Sequence, residues 1–234
     1  MITAHVSPGV TPESRVTWMY DQYNKRINNI VLNFTDVIVG MHFGHEHSDN
    51  FRVHYNSSDA AVAVQFCAPS VTPWRYKVRG LGTGPAHNPS VRLLKYNRTS
   101  GDLLDFTQYY IDLPEVNRNN ASEWKIEYNA TDVYGILDLS PSSIAGLVTR
   151  MKNRQSSEFE SFHRFWTVSV GDSYQESCDD ACHVGFYCNF KHVDHDKFQQ
   201  CFKDLSISIA SRNVDNVKNV LVSCLVFAYL LLSV

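Results

Sequence analysis

Val37-Ile38-Val39-Gly40-Met41 is an apolar run that leads directly into Phe43-Gly44-His45-Glu46-His47. A run of this kind reads as a buried strand, and strands covered on both faces belong to sheets flanked by helices. Imidazoles at the end of such a strand narrow the fold further, because in open α/β sheets sites gather at the carboxyl ends of strands. His45 and His47 are two residues apart, so on extended backbone they point the same way and both reach a metal or a metal pair. Gly44 lets the chain turn tightly beside them. Glu46, by the same alternation, points away and is expected in solvent. A third histidine, His5, ends the short apolar stretch Ile2-Thr3-Ala4 and enters the Pro8-Gly9 loop. This order places three histidines at the ends of two adjacent strands.

The rest of the chain supplies the elements around that pair of strands. Residues 12–35 read as a helix, with Met19, Tyr23, Ile27, Ile30 and Phe34 forming an apolar stripe. Thr11 is its expected cap and Pro12 its first residue. Phe51–Tyr55 alternates as a half-buried strand. Ala60–Cys67 is almost wholly apolar and reads as a strand covered on both faces, with Cys67 a small buried hydrophobe. Residues 68–90 form a Pro- and Gly-rich loop carrying Trp74 and Tyr76, residues placed either to shape specificity or simply to pack. Ser90–Tyr96 and Leu103–Leu113 make a hairpin around the Asn97–Gly101 turn. Asn88 and Pro89 open that hairpin, as a turn or as the border of a substrate cleft. Helices are expected over 120–135, 140–154, 157–168 and 178–204. His42 reads as a core or supporting residue. His192-Val193-Asp194-His195-Asp196 looks like a metal cluster but is expected to be a solvated helix face.

Composition excludes one class and suggests a compartment. With 44% apolar and 19% charged residues in 234, the chain can bury a sizeable core. The net charge is −3 and no run of Lys or Arg occurs, so no nucleic-acid polymer is expected as a partner. Sequons begin at Asn33, Asn56, Asn97, Asn120 and Asn129, which implies glycosylation in the secretory pathway. Cys178, Cys182, Cys188 and Cys201 crowd into one short segment and read as two disulfides. The alternative is a zinc site using Cys178, Cys182, His183 and His192. Residues 220–234, VLVSCLVFAYLLLSV, carry no charge. Together with the small residues 206–211 and the polar spacer 212–219 they fit a glycosylphosphatidylinositol signal. The alternatives are a short tail anchor or a buried terminal helix. With the lipid anchor, Cys224 is removed on maturation, and the protein sits on the outer membrane leaflet. Residues 1–25 contain no signal peptide.

The segments AHVSPG and FGHEH resemble the last two metal-binding motifs of the calcineurin-like metallophosphoesterases. More narrowly, the chain is similar to the acid sphingomyelinase-like phosphodiesterases. FCAPSVTP, NPSVRLLKYN and LLDFTQYYIDLPEVN follow in that family's order, and so does the spacing Cys178-x3-Cys182-x5-Cys188-x12-Cys201. The resemblance implies an α/β (α+β) fold: the C-terminal part of a four-layer β-sandwich with flanking helices, followed by a helical, disulfide-bearing region. It implies residues 1–85 as the end of the metallophosphoesterase domain, 86–211 as the C-terminal region, and 212–234 as spacer and tail. It implies disulfides Cys178–Cys182 and Cys188–Cys201. It also implies two Zn2+ ions that bind the phosphate of a phosphodiester, either a sphingomyelin-like lipid or a nucleotide, and activate a hydroxide for in-line attack. By motif position His5 and His45 ligate one zinc and His47 the other. The family's Asp-x-His, Gly-Asp-x-x-Asp and Asn-His motifs have no counterpart here, so this chain is expected to be an inactive C-terminal half whose Met1 is an internal residue. The competing expectation is a non-catalytic, membrane-anchored surface glycoprotein that keeps a remnant of the fold. The expected location is secreted or on the cell surface, with the lysosome as an alternative.

Overall fold

The structure is a computed structural model that describes residues 1–75, 77–78, 82–84, 86–120, 123–170 and 177–211. Tyr76, Cys224 and the spacer and tail over 212–234 lie outside the described residues. In chain order the elements are β1 (Ile2–Thr3), α1 (Asp21–Asn33), β2 (Met41–Phe43), β3 (Asn50–Tyr55), β4 (Ala61–Cys67), β5 (Lys77–Val78), β6 (Gly82–Thr83), β7 (Ser90–Tyr96) and β8 (Leu103–Tyr110). Then follow α2 (Leu113–Asn119), β9 (Lys125–Asn129), α3 (Ala130–Tyr134), α4 (Pro141–Arg150), α5 (Ser157–Trp166) and α6 (Asp180–Lys191). A last helix, α7, covers 195–211.

The first sheet has the order β1-β2-β4-β3, with β1, β2 and β4 parallel and β3 antiparallel. A second sheet, β7-β8-β9, is antiparallel, and β5-β6 is a short ladder in the intervening loop. The two larger sheets face each other across the main core. Phe51, Val53, Val64 and Phe66 meet Leu103, Phe106 and Tyr128, and Phe66 stands edge-to-face on Phe106 at 6.0 Å. Helices α4, α5 and α6 complete this core through Leu147, Phe162, Phe186 and Phe190. On the other face of the first sheet, Val31 of α1 packs with Met41, Phe43, Ala63 and Cys67. Among the described residues, no helix is long and apolar enough to cross a membrane. The result is a mixed α/β fold with the disulfides in its C-terminal helical part.

Several elements depart from the sequence reading for identifiable reasons. The first helix starts at Asp21, not near 12, because Thr11 closes a turn instead: its hydroxyl accepts from Val16 N at 2.9 Å and its own N–H donates to Val16 O at 3.0 Å. The helix also buries a face turned about 90° from its apolar stripe, carrying Asn24 and Val31. Tyr23, Ile30 and Phe34 are exposed, whereas Asn24 is fully buried. The polar side chain wins because it has partners there: it accepts from Gly9 N at 2.7 Å and donates to Val193 O at 2.8 Å. The strand expected at 37–41 is Met41–Phe43, and Val37 lies exposed before it. In β3 the polar residues Asn50, Arg52 and His54 are as buried as the apolar ones, so its alternation does not mark a wet face. The stretch 120–135 holds a strand: Lys125–Asn129 alternates with period two and pairs with β8.

In the C-terminal region the elements fit the sequence more closely. Ser140 and Ser156 cap α4 and α5 by accepting from the N–H groups of Ser143 and Phe159. The expected 178–204 helix is broken at His192–Asp194 into α6 and α7. Cys178–Cys182 closes the start of α6, and Cys188–Cys201 joins α6 to α7. On loop-closure entropy alone the second crosslink is the larger stabiliser, contributing about 3 kcal/mol.

The end of the chain docks on its beginning where Gly185 of α6 meets the carbonyl of Pro12. A Cβ at Gly185 would sit 2.4 Å from Pro12 O, a backbone atom that cannot swing away. Gly185→Ala is therefore expected to cost about 1–3 kcal/mol by overpacking. Gly146→Ala on α4, where the nearest atom is the flexible Arg150 Nη1 at 4.0 Å, is expected to be neutral or stabilising. Thermal unfolding of the two variants beside the parent checks both.

Candidate metal centre

Parallel pairing of β1 with β2 carries His5 and the His45–His47 segment to the same sheet end. Ala4 N donates to His42 O at 3.0 Å and Gly44 N to His5 O at 3.0 Å, so the two strand ends continue side by side. There His5 Nε2 and His45 Nδ1 lie 3.1 Å apart, with the rings edge-to-face at 4.9 Å. His47 does not join that pair. Its ring rests on Trp74 at 4.0 Å, and its Nδ1 is buried without a partner. Burial first, and then the charges of His45 and His5, push the His47 imidazole below its usual pKa. A neutral imidazole is the form that ligates a metal.

The segment is not extended as the spacing suggested. His45 and His47 both adopt left-handed backbone, with φ of 65° and 60°. Two such residues in one short loop are uncommon outside glycine and persist only where the surroundings impose them. What imposes them lies between and after the histidines. The Glu46 side chain is not in solvent: it is 4% exposed and paired with Arg52 at 2.7 Å. Its carboxylate also accepts from Ser7 Oγ at 2.5 Å and Asn50 Nδ2 at 2.8 Å. Burial alone would raise the Glu46 carboxyl; the Arg52 guanidinium and these donors reverse that and hold it below the usual range.

Arg52 then ties the two histidine loops together. Beyond Glu46 it donates to Ser7 Oγ at 3.0 Å and to Val10 O at 3.1 Å, both in the loop that follows His5. Gly9, at φ +111°, leaves room for it; a Cβ there would sit 2.7 Å from Arg52 Nε. Gln65 of β4 holds the same loop by donating to Pro8 O at 2.8 Å. From Glu46 the network runs through Asn50 to Asn189 of α6, whose Nδ2 donates to Asn50 Oδ1 at 2.8 Å. None of these partners stood out in the sequence. The available signal was an arginine flanked by apolar residues in a strand, which reads equally well as solvated.

A second buried pair anchors the far side of the segment. Asp49 meets Arg92 of β7 at 2.8 Å and accepts a short hydrogen bond from the Tyr128 hydroxyl. The Arg92 guanidinium lies over Phe106 at 3.8 Å. Nearby, Glu127 is half-buried, with Ser169 Oγ donating to it at 2.8 Å, and desolvation of its carboxyl pushes it up to about 8. Val168 and Ser169 are left-handed at φ 59° and 46°. Asn88 clamps that turn: its Nδ2 donates to Val168 O at 3.0 Å, and its Oδ1 accepts from Leu113 N at 3.2 Å. Its neighbour His87 is 3% exposed, has no partner on either ring nitrogen, and is pushed down to about 4 by burial.

The histidines suit a metal ion. Two imidazole nitrogens on one tetrahedral zinc, each at about 2.0–2.1 Å, stand roughly 3.3 Å apart, close to the His5–His45 separation. The unpartnered His47 Nδ1 is a further donor. The segment's own carboxylates, Glu46 and Asp49, are committed to arginines and face inward. The other metal readings fall differently. His163, Cys178 and Cys182 bring three potential ligand atoms within 4.8 Å, but both cysteines are in a disulfide and offer no thiolate. The same disulfide removes the alternative with His183 and His192. His192–Asp196 is not one solvated helix face: His192–Asp194 is the break before α7 and His195 and Asp196 open that helix, with Val193 and His195 buried, Asp196 exposed, and Asp194 capping the new helix through Lys197 N. His42 is half-buried and stacks on Phe66 at 6.1 Å, as a core residue does.

Comparison with known proteins places the chain in a family. The family model for the acid sphingomyelin phosphodiesterase C-terminal region matches residues 60–208. This chain belongs to the acid sphingomyelinase-like phosphodiesterases. Within that family it is 34% identical over 207 residues to the cyclic GMP-AMP phosphodiesterase SMPDL3A of Homo sapiens, covering 88% of this chain and 44% of the relative. It is 30% identical over 201 residues to the acid sphingomyelinase-like phosphodiesterase 3b of Homo sapiens, covering 86% and 43%. It is 29% identical over 210 residues to sphingomyelinase phosphodiesterase C of Dictyostelium discoideum, covering 87% and 46%. The chain thus spans less than half the length of these relatives. Of the family member's five sequons, Asn33, Asn56, Asn97 and Asn120 are exposed at helix ends and turns. Asn129 is half-buried and accepts from Thr107 Oγ1 at 2.7 Å.

Two outcomes test the supports of the histidine loops. Glu46→Ala leaves Arg52 buried without its partner and is expected to cost about 3–5 kcal/mol. Adding Arg52→Met should recover much of that, which denaturant unfolding of the single and double variants measures. Glu127 supplies a pH dependence. Its carboxyl stays protonated in the folded protein up to about 8 but ionises from near 4.5 when unfolded, so stability falls as pH rises through that window. Glu127→Gln should raise the melting temperature at pH 7.5 and leave it unchanged at pH 4.5.

Proposed function

We propose that this chain is the C-terminal part of a zinc-dependent phosphodiester hydrolase, and that His5, His45 and His47 are its metal ligands. The observation that carries this is the approach of His5 Nε2 to 3.1 Å from His45 Nδ1 at the end of two parallel strands. His5 and His45 hold one ion, and His47, set apart on Trp74, serves a second. When bound, zinc supplies Lewis-acid polarisation of phosphoryl oxygens and a low-pKa water. The chain's own residues position the ligands: Arg52 and Glu46 fix the two loops, and burial keeps His47 neutral. Three neutral histidines do not hold two ions, since each ion takes about four ligands, so residues 1–234 by themselves are proposed to be inactive.

The substrate is proposed to be a phosphodiester of the sphingomyelin or nucleotide type. The relatives' names support both, one being a cyclic GMP-AMP phosphodiesterase and another a sphingomyelinase phosphodiesterase. Asn88 acts as a clamp on the 168–169 turn beside the site and is proposed to shape the cleft wall. The two disulfides support an oxidising compartment, so the location is proposed as secreted or at the cell surface, with N-glycans on the exposed sequons and the 212–234 tail as a lipid-anchor signal.

Zinc titration followed by calorimetry tests the ligand assignment without requiring turnover. His5→Ala and His45→Ala should each weaken the same binding event by about tenfold or more, and His47→Ala should leave that event in place. Equal zinc binding by the parent and all three variants would overturn the assignment.

A further inference from the structure

Each of the two loop histidines carries an indole. Trp18, from the loop before α1, stands edge-on to His45 at 4.8 Å with the ring planes at 86°. Trp74, from the loop after β4, lies on His47 at 4.0 Å and 58°. Trp18 is 47% exposed, and Trp74 is half-buried. Exposure alone assigns nothing, since Trp124 is 44% exposed as well. What separates Trp18 and Trp74 is that each touches a different histidine of the centre while leaving indole surface open to solvent. Behind Trp74 sits a second unexplained group. His87 N donates to Trp74 O at 2.8 Å and Trp74 N to His87 O at 3.3 Å, so the two residues are paired through their backbones. The His87 ring is buried, with both nitrogens unpartnered, although buried polar atoms are nearly always satisfied.

We infer that Trp18 and Trp74 form a subsite that stacks the planar heterocycle of a nucleotide-type phosphoester whose phosphate lies at the histidines. The inference deepens the phosphodiesterase reading and rests on it for the position of the phosphate. Two indole faces beside an anion site suit a base, because stacking on an aromatic face is favourable for every base. A quaternary ammonium group also lies on indoles, but it needs negative potential around it. Here Glu46 and Asp49 are neutralised by Arg52 and Arg92, and the exposed Arg75 adjoins Trp74.

The test titrates the zinc-loaded chain with adenosine 5′-monophosphate, inorganic phosphate, phosphocholine and adenosine, following calorimetry and tryptophan fluorescence. The nucleotide should bind about tenfold or more tighter than inorganic phosphate. Trp18→Ala and Trp74→Ala should each erase much of that ratio without changing phosphate affinity, and Trp74→Phe should keep most of it. A nucleotide no tighter than phosphate, a preference for phosphocholine, or variants that weaken phosphate and nucleotide alike would overturn the subsite. Adenosine carries no phosphate and separates the two readings. Adenosine quenching without phosphate binding upholds the subsite and sinks the metal centre. Phosphate binding with no gain from the base does the reverse.

Discussion

The Glu46–Arg52 pair is the constraint on which the site depends. Two opposite charges are taken almost wholly out of water, which is costly unless hydrogen bonds satisfy the remaining lone pairs and protons. Ser7, Asn50 and the Val10 carbonyl meet most of that need, with only the Arg52 Nε–H left unpartnered, and they come from both histidine loops. The pair therefore draws together chain segments that a strand ladder alone would leave free beyond its last hydrogen bond. It also holds in place the left-handed backbone on either side of Glu46, which persists only where the surroundings impose it.

Much of the fold was legible from apolar runs and turn residues. The hairpin around Asn97–Gly101, the helices expected over 140–154 and 157–168, the buried strand ending at Cys67 and the disulfide cluster all follow from local chemistry. Two misreadings, the buried face of α1 and the wet face of β3, share one cause. Asn24, Arg52, His54 and Gln65 are polar residues buried against each other's loops, and a hydrophobicity pattern assigns such residues to water. The stripe on α1 was legible as a stripe, but its apolar side faces out because Asn24 has two backbone partners inside and Tyr23 has none to gain. At the site, the two closest histidines were legible from strand ends, whereas the carboxylates that shape their loop were not. Burial of Glu46 depends on an arginine six positions on in a different element, and no local window contains that information.

The same network reaches beyond the histidine loops. Asn50 and Asn189 exchange hydrogen bonds between β3 and α6, and Asn24 links the His5 loop to the break before α7. The helical region is thus fastened to the back of the site by polar contacts as well as by Phe186 and Phe190. The family model matches from residue 60 to 208, which takes in β4, the second sheet and the helical region. Its matched length and the sheet end that bears the histidines form one hydrogen-bonded structure.

Cys67 gives the arrangement a consequence for how the chain reaches its native state. It is the free thiol among the described residues, fully buried, and pushed up to about 12 by that burial. Once the sheet has closed, no thiolate exists there to attack a neighbouring disulfide. Before closure it is a further thiol that competes with the four cysteines at α6 and α7 that must pair correctly. Correct oxidation therefore depends on timing: assembly of β2, β3 and β4 must sequester this sulfur ahead of crosslinking in α6 and α7. Slow closure of the sheet would appear as scrambled disulfides at α6 and α7.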